Sequence, residues 1–170
     1  MKKLFLLCLL PLVGVVLGLS AASHAETSVK TNDKALISAV LDTLHASAAS
    51  ANWDTYFQQY TADAIFLGTD VGERWDMPTF KGYAAASKGW VYTLRERNIS
   101  LSPDGKTAWF DEILDSVNYG TSRGTGALIR TNTLWKIAQY HLTFPIPNDL
   151  ADEFTQQIQA FEAQLNSNKK

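Results

Sequence analysis

The alternation of apolar and polar positions divides the 170-residue chain into helices, then strands, then a final helix. Asp33 can cap a helix, and after it Leu36, Val40 and Leu44 recur at spacing four with Ile37 and Leu41 beside them. This predicts a helix over 33–51. Asn52 reads as the cap of a short second helix, 53–59, and Ala64 to Leu67 as a brief strand ended by Gly68. Asp76 ahead of Met77-Pro78 starts a third helix that ends near Gly89, with proline in the first turn where its missing N–H costs nothing. From Trp90 to Phe144 the pattern is an antiparallel sheet of strands 90–101, 107–117, 123–131 and 134–144. Pro103-Asp104-Gly105-Lys106 and Asn132-Thr133 supply the turn chemistry between them. Gly124 and Gly126 lie two apart on one face, which marks a bend or a close approach of another group to the backbone. Asn148 reads as the cap of a last helix, on which Leu150, Phe154, Ile158, Phe161 and Leu165 make one apolar stripe. That stripe packs either on its own domain or on a second subunit.

The first 25 residues stand apart. Lys2 and Lys3 precede an apolar run, Leu4 to Leu19, and Ser23-His24-Ala25 offers small residues at a cleavage site. This is the pattern of a secretory signal peptide, and it predicts export to the periplasm or the medium. The competing reading, an uncleaved anchor, meets a run interrupted by Pro11, Gly14 and Gly18 and short of the roughly 20 residues of a bilayer span. The organisation expected is a signal peptide at 1–25, a flexible lead at 26–32, a single domain at 33–147 and an amphipathic helix at 148–170. No second long apolar run follows, so no membrane contact is expected after cleavage.

Composition narrows the function classes. The single cysteine, Cys8, falls in the leader, which removes disulfides and thiol nucleophiles from the mature chain. Lys+Arg 15 against Asp+Glu 17 gives a net charge of −2, without the basic footprint of a nucleic-acid binder. Walker, dinucleotide and nucleophile-elbow motifs are lacking, so no cofactor is expected. Outside the leader only His45 and His141 remain, scattered from the carboxylates, so no metal site is expected either.

Several local motifs resemble the SnoaL-like branch of the nuclear-transport-factor-2 (NTF2-like) superfamily. They are Phe66-Leu67-Gly68-Thr69-Asp70, Glu73-Arg74-Trp75, Trp109-Phe110-Asp111-Glu112, Arg123-Gly124-Thr125-Gly126, the run Trp135 to Leu142, and Pro145-Ile146-Pro147-Asn148. The resemblance spans roughly Lys34 to Asn148. It implies an α+β fold: a cone-shaped barrel in which a curved antiparallel sheet wraps around helices, commonly as a sheet-to-sheet homodimer. The helix after Asn148 extends beyond the familiar pattern. Relatives include cyclases, isomerases, dehydratases and domains without chemistry, so the fold alone names no activity.

Strand alternation then sorts the candidate chemistry. Trp135, Ile137, Gln139 and His141 share one face of the last strand, and Trp109, Asp111 and Ile113 share one face of an earlier one. A bulge would exchange the faces. Asp111 and His141 are the candidate catalytic pair, a carboxylate orienting an imidazole; the alternative is a structural hydrogen bond. Asp70 and Trp75 fall where loops would rim a cavity, although both also suit a helix start. Tyr119, Arg123, Trp109, Trp135 and Gln139 complete the candidate ligand-binding set. Arg95 and Arg97 read as cross-strand ion pairs, and His45 as a boundary residue. Asn98-Ile99-Ser100 fits a glycosylation sequon but lies within a strand. Three functions follow as expectations. The first is a cone holding a small, mostly apolar ligand. The second is a proton-transfer or hydration enzyme of isomerase, cyclase or dehydratase type using Asp111 and His141. The third is a ligand-free dimerisation module.

Overall fold

The structure is a computed structural model that describes residues 17–167, with side chains described from residue 31 onward. Of the leader, residues 1–16, including Lys2, Lys3 and Cys8, lie outside the described residues, as do Lys169 and Lys170. Eleven elements follow in order: α1 (Leu17–Ala49), α2 (Trp53–Gln58), β1 (Tyr60–Leu67), β2 (Arg74–Asp76), α3 (Met77–Ala85), β3 (Tyr92–Leu101), β4 (Thr107–Ser116), β5 (Gly120–Thr131), β6 (Leu134–Thr143), a 3₁₀ turn (Asn148–Leu150) and α4 (Ala151–Ser167). Among the described residues no helix is long and apolar enough to cross a membrane.

The six strands form one curved sheet in the order β2-β1-β6-β5-β4-β3. β3 to β6 are an antiparallel meander, as the turn chemistry predicts. Gly105 takes φ +65° in the first turn, where Asp104 Oδ1 accepts from the Lys106 N–H (3.1 Å). The sheet is mixed rather than wholly antiparallel, because β1 joins β6 in parallel. A parallel pair needs a long connection, and everything from Gly68 to Thr133 provides it. β2, three residues long, pairs with β1 and has no apolar run of its own to announce it.

α1 lies across the concave face. Its buried apolar positions are Ile37, Leu41, Leu44 and Ala48, spaced 4, 3 and 4, while Leu36 is exposed. The stripe is therefore rotated by one residue from the one centred on Leu36. α1 also begins well before Asp33 and runs unbroken through 26–32, the stretch expected to be a flexible lead; no proline or glycine interrupts it there. The expected cleavage point after Ala25 falls within this helix. Asp33 is consequently not a cap. It is buried, pairs with Arg130 and accepts from Trp135 Nε1 (3.4 Å), while the Arg130 guanidinium stacks 4.7 Å over the Trp135 ring.

Asn52 and Asp76 do cap α2 and α3, accepting from the N–H groups of Thr55 (3.2 Å) and Thr79 (2.9 Å). α2 and α3 close one end of the cone with an aromatic cluster in which Phe80 stacks on Phe66 at 3.9 Å between ring centres. Asn148 does not cap α4; it opens the 3₁₀ turn, whose own start has no side-chain cap.

Gly124 and Gly126 both face the inside, where backbone is closely approached. A Cβ on Gly124 would stand 2.3 Å from the Tyr140 hydroxyl, and one on Gly126 would stand 2.8 Å from the Phe110 ring. The close approach read from their spacing is therefore present at both positions.

Candidate functional site

The cone encloses a cavity of about 330 Å³. Trp75, Tyr83 and Trp90 form one wall, and Tyr119 stacked on Phe144 (4.6 Å) forms another. Thr69, Glu73 and Asn118 also border it. The Glu73 side chain lies directly over Gly68, where any Cβ would collide with its carboxylate, and it accepts from the Asp70 N–H (3.2 Å). Among the ionisable side chains that line the cavity are His45 and Glu73; among the described residues Lys and Arg contribute none of the lining.

The chemistry sits at the buried end. His45 and Tyr140 line the cavity there, and behind them Glu112 is fully buried. Glu112 Oε1 accepts from His45 Nε2 (2.7 Å) and from the Tyr140 hydroxyl (2.8 Å), and Oε2 accepts from Arg97 Nε (2.8 Å). Burial works to raise the Glu112 pKa. The hydrogen bond and charge of His45, the charge of Arg97 and the Tyr140 hydrogen bond outweigh it, and the carboxyl is held below its ordinary range. The Tyr140 hydroxyl is pushed well above its ordinary range, first by burial and then by the Glu112 charge, so it stays protonated and donates. An ionised carboxylate only accepts, so the proton on the paired imidazole nitrogen belongs to His45 Nε2. His45 Nδ1 is the nitrogen left over.

Arg97 is anchored in turn. Its Nη1 donates to Ser38 Oγ (2.8 Å), Ser38 O (3.1 Å) and Asp42 Oδ1 (2.7 Å) on α1, and its Nη2 is buried without a partner. The network therefore ties α1, β3, β4 and β6 together at the cavity floor. It can hold an imidazole rigidly beside the cavity with a carboxylate behind it. That arrangement fixes a tautomer and stabilises a proton gained by the ring.

The candidate pair from the sequence does not form. Asp111 is exposed on the opposite side of β4 from Glu112, where it accepts from Asn98 Nδ2 (3.2 Å). His141 lies on the same outer face, but Asp111 and His141 each pair in register with Thr125, so a whole strand separates them. Neither lines the cavity. β5 between them keeps the pair apart, Asp111 faces outward by the plain alternation of β4, and His141 faces outward because of a bulge in β6. The β5–β6 register steps from Ala127↔Gln139 to Leu128↔Ile137, which leaves Ala138 as an extra residue. Trp135 and Ile137 face inward before it, and Tyr140 and Leu142 face inward after it. Gln139 and His141 are thereby turned outward, and the expected four-residue face is split.

Of the expected ligand-binding residues, Trp75 and Tyr119 line the cavity. Trp109 is half exposed on the outer face, Arg123 is exposed, and Trp135 is buried against Asp33 and Arg130 rather than at the cavity. Asp70 is spent on its own turn, where its Oδ1 accepts from the Gly72 N–H (2.7 Å). Two tryptophans, Trp75 and Trp90, shape the cavity without filling it.

His45, Glu112, Tyr140 and Arg97 were not among the expected site residues, yet two signals pointed to them. Glu112 is a charge on the same strand face as Phe110 and Leu114, and a carboxylate on an apolar strand face has to find partners. His45 stands four residues after Leu41 and beside Leu44, on the flank of the buried stripe of α1. Among the described residues no group of three His, Cys, Asp or Glu side chains is placed to hold a metal ion.

Comparison with known proteins fits this geometry. The family model described as a SnoaL-like domain matches residues 37–147. No functionally curated protein matches the chain by sequence. Similar solved structures include an NTF2-like protein of unknown function from Pseudomonas putida KT2440, with a TM-score of 0.59 and 12% identity over 69% of this chain and 90% of that one. A candidate scytalone dehydratase from Novosphingobium aromaticivorans gives a TM-score of 0.60 at 8% identity, covering 71% and 89% of the two chains. A candidate aromatic ring hydroxylase from Novosphingobium aromaticivorans gives 0.57 at 16%, covering 69% and 92%. Identities this low speak for the fold alone.

Proposed function

This chain belongs to the SnoaL-like domain family, and from that premise we propose that its cone binds a small, mostly apolar ligand and that His45 exchanges a proton with it. The observation behind this reading is the His45–Glu112 hydrogen bond at the floor of an aromatic-walled cavity. With Nε2–H committed to Glu112, the neutral ring keeps a lone pair on Nδ1. Glu112, itself held by Tyr140 and Arg97, then fixes the ring and offsets the charge of its protonated form. The proton-transfer reading thus moves from Asp111 and His141 to His45 backed by Glu112. A ligand-free module is a weaker fit, because an aromatic-walled cavity with a few convergent polar groups is the usual form of a small-molecule site. The leader pattern supports export as part of the same proposal, and N-terminal sequencing of the exported protein would read its cleavage point.

The test is mass spectrometry of small molecules extracted from the purified protein, followed by titration of the recovered compound into wild type and His45→Ala. A ligand that co-purifies with wild type and binds the variant about tenfold or more weakly is the expected result. Equal binding by the two proteins removes His45 from the site. An empty wild-type protein, with a flat thermal-shift screen of cyclic and carbonyl compounds, removes the ligand.

A further inference from the structure

α4 is the one element whose chemistry the cone does not use. Its main contacts are with the 3₁₀ turn immediately before it. Leu150, Phe154, Ile158, Phe161 and Leu165 remain between 40% and 61% exposed. The family match stops at residue 147, so α4 is an addition of this chain rather than part of the shared cone.

The spacing of its apolar residues says what kind of surface would cover them. Ala151, Phe154, Ile158, Phe161 and Leu165 follow one another at 3, 4, 3 and 4. This is the narrow two-position seam of a coiled coil, whereas a helix lying on a globular core carries a wider apolar face. The positions flanking the seam are Thr155, Gln157, Glu162 and Gln164. With one charge among them, a second copy of the same helix meets little repulsion there.

Charge along the axis sets the direction. Asp149, Asp152 and Glu153 stand at the start of the helix, and the sequence passes Ser167 into Lys169 and Lys170. An antiparallel pair sets the acidic start of each helix beside the basic end of the other and opposes the two helix dipoles. A parallel pair sets like beside like. A lipid surface suits the helix less well, because its polar face is rich in Gln and acid rather than Lys and Arg.

We propose that α4 pairs antiparallel with α4 of a second copy of this chain, with Phe154 against the partner's Leu165 and Ile158 against the partner's Phe161. Two short helices bury less than the roughly 1,600 Å² of a standard interface, so the association is concentration-dependent.

The experiment is sedimentation equilibrium of the full chain over a micromolar concentration series, for wild type, Phe161→Asp on the seam and Gln156→Glu on the opposite side of the helix. The expected result is a mass rising toward twice that of the chain for wild type and Gln156→Glu. Phe161→Asp stays at one chain mass with its thermal melt unchanged. Direction is read in a Cys8→Ser background: Phe154→Cys and Leu165→Cys proteins, mixed and oxidised, join as the heterodisulfide in preference to either homodisulfide. A monomeric wild type overturns the proposal, whether or not it pellets with phosphatidylserine vesicles, and pelleting would hand the stripe to a lipid surface. A Phe161→Asp protein that still dimerises overturns it in favour of another face. Homodisulfides as the main product overturn the antiparallel pairing.

Discussion

Asp111 and Glu112 are adjacent carboxylates on one strand, and the sheet gives them opposite fates. Glu112 is fully buried, takes three hydrogen bonds and stands behind a cavity-lining histidine. Asp111 is exposed and is met by a single asparagine amide. His45 and His141 divide in the same way, His45 against the cavity and His141 on the outside of β6. The lesson is that in a sheet with one face around a hollow, a shift of one position along the strand changes a group from chemistry to surface. The concave face concentrates charge where desolvation makes pairing obligatory. The convex face carries pairs such as Arg95–Asp115, both half exposed, where solvent screens the gain.

The sharpest way to break this contrast is Glu112→Ala. It leaves Arg97 Nε, His45 Nε2 and the Tyr140 hydroxyl without their acceptor, while Arg97 Nη1 keeps Asp42 and Ser38, and a loss of about 3 kcal/mol in urea unfolding is expected. Next comes Gly124→Ala. The new methyl would meet the Tyr140 hydroxyl and the Glu112 side chain, and about 1–3 kcal/mol of destabilisation is expected in the same measurement.

Acid gives a third test. The Glu112 carboxyl is held below its unfolded range, so its contribution is complete above that range and is lost as pH falls through the folded value. Stability of wild type should therefore fall with acid more steeply than that of Glu112→Gln, as read from unfolding midpoints across the carboxylate range. The smallest effects belong to the outer face. Asp111→Ala and His141→Ala should each stay within about 0.5 kcal/mol of wild type and leave ligand retention unchanged. A loss of ligand in either would return the outer face to the site.

The order of elements was legible in the sequence because local signals agree there. Asn52 and Asp76 cap where their side chains say they should, the Pro103 to Lys106 turn reverses the chain, and the paired glycines meet incoming groups. The cone itself came from resemblance, since periodicity cannot show that a sheet curves. The site was legible only in part. Trp75 and Tyr119 were found because they sit on loops and short segments at the rim. His45 and Glu112 were missed because their meaning depends on which face is concave and on helix α1 lying across it. Both are tertiary facts. The start of α1 was missed for a related reason: Asp33 has the chemistry of a cap, and only the distant Arg130 and Trp135 turn it into a buried partner.

The surplus residue Ala138 has a consequence for how such chains diverge. It decides the phase of everything after it in β6: given a regular place in the pleat, Ala138 would turn Gln139 and His141 toward the hollow and send Tyr140 away from it, whereas its removal would leave Tyr140 inside. A change that absorbs the bulge into the regular strand would thus exchange the groups facing the hollow as a set.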